Sequence, residues 1–150
     1  MNRIKSLFST AAVCAFVLTS AAVHAHGDEP KTAPNGGQLR EAGAYHLELV
    51  MLKNGKDTSE SPVVVYVTDR NGAKVSTVGA SGSATILAGK TKVSATLAPD
   101  GDNRLKGSAK YASSPDMKVV LQVTPAGKST EQARFTPFAV AKDGHTDHKH

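Results

Sequence analysis

The stretch Tyr45-His-Leu-Glu-Leu-Val-Met-Leu52, followed after ten residues by Val63-Val-Val-Tyr-Val-Thr68, decides the class of fold. In the first run Tyr45, Leu47, Leu49 and Met51 alternate with His46, Glu48, Val50 and Leu52. That two-residue period gives a strand with one clearly apolar face. The second run is β-branched or aromatic almost throughout, as in a central strand covered on both faces, and Pro62 stands at its start.

The same grammar continues toward the C-terminus. Asp69-Arg70-Asn71-Gly72 is a turn from which Lys74 to Val78 can return, and Val78 to Ala84 reads as a loop. Ala84 to Ala88 and Thr91 to Leu97 flank Gly89-Lys90 as a hairpin. Pro99-Asp100-Gly101-Asp102 precedes a strand over Asn103 to Tyr111. Met117 to Thr124 alternates again, Pro125-Ala126-Gly127-Lys128 turns, and Ser129 to Phe138 closes the domain. Seven or eight short strands with turns between them predict an all-β fold, an immunoglobulin-like antiparallel β-sandwich. Its expected core holds Leu47, Leu49, Val65, Val67, Leu97, Leu105, Val119, Leu121 and Phe135.

Upstream, residues 26–42 are polar, with two prolines and three glycines, and read as an extended lead-in to a domain over 43–140. Before them, Arg3 and Lys5 precede an uncharged stretch from Ser6 to Val23, closed by Val23-His24-Ala25. A positive start, an apolar body and an A-x-A-like site predict a signal peptide over 1–25 and a periplasmic or secreted protein beginning at His26. A membrane anchor is the poorer reading, because the apolar part is short and holds Ser9, Thr10, Thr19 and Ser20. A lipobox at Cys14 would prefer Leu and a small residue where Ala11 and Val13 stand. No membrane insertion is expected after cleavage.

Cleavage would leave 125 residues, enough for one core, and sixteen basic against thirteen acidic residues, a net +3. Without basic runs and with few aromatics, nothing favours nucleic-acid binding. Cys14 is the single cysteine, so the mature chain would have no disulfide, no thiol chemistry and no cysteine metal site. Neither a nucleophile elbow nor a paired-carboxylate motif is present, and a non-enzymatic role is expected.

The histidines carry the functional signal. His145, His148 and His150 follow an H-x-x-H-x-H spacing with Asp143 and Asp147 between or beside them, in a polar tail over 141–150 expected to be disordered without a ligand. Neutral imidazoles clustered this way suit Cu(II), Ni(II) or Zn(II), set against a plain solvated tail as the alternative. His26, as a new N-terminus, would offer its amine and imidazole together to Cu(II). With one more imidazole that becomes a histidine brace. His46 and Glu48 fall on one face of the first strand, about 6.5–7 Å apart along it, and are candidate ligands or an ordinary polar surface pair.

Asn35-Gly36-Gly37-Gln38-Leu39, Tyr45-His46-Leu47-Glu48-Leu49-Val50, Val65-Tyr66-Val67-Thr68-Asp69 with Gly72, Asn103-Arg104-Leu105 and Ala133-Arg134-Phe135 together resemble a family of small exported β-domain proteins with His-rich ends. That family is similar to a β-domain found near heavy-metal efflux adaptor proteins. Its members often read His-Gly-Gly where this chain has Asn35-Gly36-Gly37. The resemblance implies metal homeostasis or accessory work in efflux. Three functions follow as expectations: periplasmic copper, zinc or nickel binding with an efflux or envelope protein as partner, a non-catalytic envelope interaction module, and a histidine-brace copper oxidase.

Overall fold

The computed structural model describes residues 33–140. The segment 1–25 read as a signal peptide, His26 and the tail over 141–150 lie outside the described residues. Eight antiparallel strands make up the fold: β1 Gln38–Ala42, β2 Tyr45–Met51, β3 Ser59–Asp69, β4 Ser81–Ala88, β5 Thr91–Pro99, β6 Arg104–Tyr111, β7 Lys118–Thr124 and β8 Glu131–Phe135. Among the described residues there is no helix.

The strands hydrogen-bond in the order β1-β2-β3-β6-β5-β4-β7-β8. An immunoglobulin constant-type order would set the second strand between the first and the fifth; here β2 lies between β1 and β3. The sheet bends at β5, which pairs β4 through Gly82↔Leu97 and β6 through Ala98↔Lys106 and Pro99↔Leu105. At that bend a Cβ on Gly107 would run into the Thr96 carbonyl oxygen, so glycine permits the close crossing. The two ends of the sheet then meet again. Thr136 N donates to Gln38 Oε1 at 2.8 Å, and the Glu131 carboxylate lies where a Cβ on Gly43 would project. β1 and β8 therefore run side by side without sharing a ladder, and the sheet is nearly closed.

All nine core residues expected from the alternation are buried, joined by Val63, Ile86, Tyr111, Met117 and Val123. Pro62 sits inside β3 rather than at its start. Val67 N donates to Asn103 O on the β6 side, so alternation puts the Pro62 nitrogen on the β2 side. There β2 has already ended, since its last rung is Met51↔Val63, and no ladder donor is lost.

Three further expectations change. The lead-in over 26–42 supplies β1, which its polar composition concealed; its partner β2 provides the apolar face, and Ala42 alone in β1 is fully buried. The Asp69–Gly72 turn forms, with Gly72 N on Asp69 O at 3.0 Å, but Lys74 to Val78 makes only an isolated bridge, Thr68↔Lys74, plus Val75 N to Val67 O. The edge it needs is already taken by β6 over Ser59 to Tyr66. Finally, β4 begins at Ser81, inside the Ala/Gly/Ser stretch read as a loop. The strand forms there because β5 and β7 pair with it on both edges, and at Gly82 only a small residue fits without a shift. A Cβ on Gly82 would meet Gln122 O at 3.1 Å and Leu105 Cδ1 at 3.3 Å.

Candidate functional site

The outer face of β2 carries both candidate ligands that the described residues contain. Glu48 is 3% exposed despite facing away from the core. Its Oε1 accepts hydrogen bonds from Asn35 N at 2.8 Å and Gly37 N at 3.0 Å, and its Oε2 accepts from Asn35 Nδ2 at 2.9 Å. The carboxylate therefore anchors the turn over 33–37, which is closed by Gly36 N to Ala33 O at 3.1 Å. Glycine is needed twice in that turn. Gly36 has φ 77°, and a Cβ on Gly37 would strike the Leu49 carbonyl oxygen. Asn35-Gly36-Gly37 is thus a backbone device built around Glu48.

His46 has a different partner. It stands opposite Glu41 in the β1–β2 ladder, and its Nε2 lies 3.6 Å from Glu41 Oε1, an ion pair only when the imidazole is protonated. His46 and Glu48 thus have separate partners, Glu41 for the imidazole and the N–H donors of Asn35 and Gly37 for both carboxylate oxygens. Among the described residues, no three His, Cys, Asp or Glu side chains gather as a metal site would need. His26, His145, His148 and His150 lie outside the described residues.

No protein-family model, curated protein or solved structure matches the chain.

The feature that sequence reasoning missed is a groove of about 340 Å³ at the junction of β1 and β8. Gly36, Gly37 and Gln38 form one wall, Thr136 to Ala139 the other, and Leu49 and Met51 line it between them. The second wall is also a closed turn, with Ala139 N on Thr136 O at 3.1 Å, and Phe138 packs against the core. No local pattern announces the groove, since its walls are 98 residues apart along the chain at the Gln38–Thr136 hydrogen bond. The Glu48 anchor did leave a trace: a carboxylate on the outer face of a strand, shortly after an Asn-Gly-Gly turn.

Glu48→Gln tests the anchor. Replacing one carboxylate oxygen with an NH2 sets donor against donor and removes the charge assistance from the remaining bonds. A loss of about 1.5–3 kcal/mol is expected in urea denaturation. A neutral result would show that the turn does not depend on the carboxylate.

Proposed function

We propose that the protein captures a divalent transition metal, copper, zinc or nickel, in the periplasm and hands it on without chemical turnover. The ligands are the terminal histidines, carried on a β scaffold of immunoglobulin-like size. One observation carries this reading: three of the last six residues are imidazoles, His145, His148 and His150, with Asp147 between them and Asp143 just before. The export signal at the other end supports the compartment.

Metal titration by calorimetry, on protein purified after export, tests the reading. Deleting residues 143–150 is expected to weaken Cu(II), Ni(II) or Zn(II) binding sharply, by roughly tenfold or more, and to leave the metal-free melting temperature unchanged. His145→Ala, His148→Ala and His150→Ala together should reproduce the deletion. Binding should also weaken as the solution is acidified, because protons compete for the ligand nitrogens. Unchanged binding in the triple variant would remove the tail from the site and turn attention to His26, His46 and Glu48.

The second reading, a docking module for an efflux or envelope protein, draws on a specific feature. β1 and β8 meet without sharing a ladder, and the backbone groups that face this seam are where a partner strand would add. Absence of binding at micromolar metal would favour it.

A further inference from the structure

The outward sides of β5, β4, β7 and β8, neighbours in that order, form one continuous surface. Alternation places Lys92, Lys118 and Arg134 on it, all exposed, and the register brings them close together. Lys92 and Lys118 both stand opposite Leu87 of the strand between them, so their backbones lie about 10 Å apart, two strand spacings. Arg134 faces Val120, one strand over and two residues along from Lys118, about 8 Å away. Lys90, in the β4–β5 turn, adds an exposed fourth cation at the Lys92 end. No outward position of these strands is acidic. Their single carboxylate, Glu131, shares the inward side with Ala133 and Phe135, beside Gly43. Asp116, in the loop leading to β7, is the acid whose charge bears on Lys118. Among the described residues the ion pairs are His46–Glu41 and Arg104–Asp100, and neither involves these four strands. Outward carboxylates stand instead on β1, β2 and β3, at Glu41, Glu48 and Glu60.

The neutral side chains of this face define the anion that suits it. Beside the cations, Ser94 and Thr85 pair across β5 and β4, and the next row runs Thr96, Ser83, Gln122, Gln132. Hydroxyls and amides both donate and accept hydrogen bonds. No aromatic side chain faces outward here, since Phe135 is buried. The anchors that concentrate protein–protein binding energy are therefore missing, and so are the platforms on which bases stack. Leu87, 39% exposed, is the one large apolar side chain of these strands that is exposed, too little to seat the face in a bilayer.

We infer that this face binds a linear acidic polysaccharide. Its carboxylate or sulfate groups sit on Lys92, Lys118 and Arg134, and its hydroxyls lie along the Ser, Thr and Gln rows. Charge supplies the attraction, because a surface with cations of one sign and no outward carboxylate concentrates a polyanion. The hydroxyl and amide rows supply the preference for a sugar chain over other polyanions. Neither metal nor the chain termini take part.

The test titrates exported protein with polygalacturonate and with dextran sulfate by calorimetry, at a pH of about 7.5 where ordinary imidazoles are neutral. Neutral dextran, duplex DNA and phosphatidylglycerol vesicles are run alongside. At about 50 mM salt at least one acidic polysaccharide is expected to bind, with affinity falling as salt rises and counterion release loses its drive. Lys92→Gln, Lys118→Gln and Arg134→Gln together should weaken binding about thirtyfold or more. Their melting temperature should stay unchanged, because exposed charges contribute little to stability. Lys53→Gln, Lys56→Gln and Lys74→Gln remove the same net charge from exposed positions elsewhere and should weaken binding less than about threefold. Equal losses in the two triple variants would overturn the face as the site, since net charge alone would then explain binding. No binding of either acidic polymer, or dextran binding just as tightly, would overturn it as well. Tighter binding of DNA or of the vesicles would overturn the polysaccharide as its occupant.

Discussion

Leu49→Ala is expected to cost about 2–5 kcal/mol and to lower the melting temperature by roughly 10 °C or more. Leu49 is 1% exposed, pairs with Val65 on one side and Gln38 on the other, and contributes to the groove between β1 and β8. Across the β2–β3 ladder Val65 faces it directly, with Val63 and Val67 opposite Met51 and Leu47, and all three are buried and stiff at χ1, so they cannot easily move into the space vacated. The cost therefore combines the lost transfer of the side chain with a cavity that collapses poorly. Urea denaturation with an unchanged m-value is the measurement. Val50→Ala, on the half-buried outer face of the same strand, should cost less. A neutral Leu49→Ala would overturn the assignment of this face to the core.

The second large effect is expected at Asn54, in the loop between β2 and β3. Its Oδ1 accepts from Ser113 N at 3.0 Å and from Ser113 Oγ at 2.7 Å, while its own backbone N donates to that Oγ at 2.7 Å. Its Nδ2 donates to Tyr111 O at 2.8 Å and faces Ser59 Oγ and Ser61 Oγ at 3.1 and 3.2 Å. One side chain thus ties the loop, the start of β3 and the end of β6. A second tie lies beside it, where the Tyr111 hydroxyl donates to Leu52 O at 2.9 Å. Burial holds the Tyr111 phenol above its ordinary pKa, with the Leu52 bond opposing, so the hydroxyl keeps its proton as donor.

Asn54→Ala should cost about 2–4 kcal/mol, since it strips partners from Ser113 N and Tyr111 O in partly buried positions. Asn54→Asp should be little better. It preserves the acceptor for Ser113 but turns a carboxylate oxygen toward the Tyr111 carbonyl. A double-mutant cycle with Ser113→Ala checks the network, with a coupling of about 0.5–3 kcal/mol expected. Additive single effects would show that the two residues act independently.

Much of the architecture was legible because alternation is a local property. The period of two from Tyr45 to Met51 assigns Leu47 and Leu49 to the core without knowledge of any partner strand. Turns are local too. Lys128 N bonds Pro125 O at 3.0 Å with Gly127 at φ 68°, and Asp69 Oδ1 accepts from Asn71 N and Ala73 N at 2.8 and 2.9 Å. Both are written in four or five consecutive residues. Local reading misled where a strand is polar or small for tertiary reasons, as in Gln38–Ala42 and at Gly82, and at Lys74 to Val78, where a plausible return strand makes only an isolated bridge.

The candidate site divides the same way. The histidine spacing at the C-terminus is visible in ten residues of sequence, and so is the placement of His46 and Glu48 on one face of a strand. What those side chains meet is not. Glu48 takes three hydrogen bonds from a turn 11–13 residues upstream, which the strand pattern could not reveal. Sequence by itself determined the β class, the inward face of each main strand and the clustering of imidazoles near the two termini. Tertiary structure alone decided the strand order, the Asn54 knot between segments 57–59 residues apart, and the groove where β1 meets β8. The physical reason is one of range. Periodicity and turn chemistry act between neighbours along the chain. The pairing of β3 with β6, or the meeting of β1 with β8, is selected by the packing of the whole core.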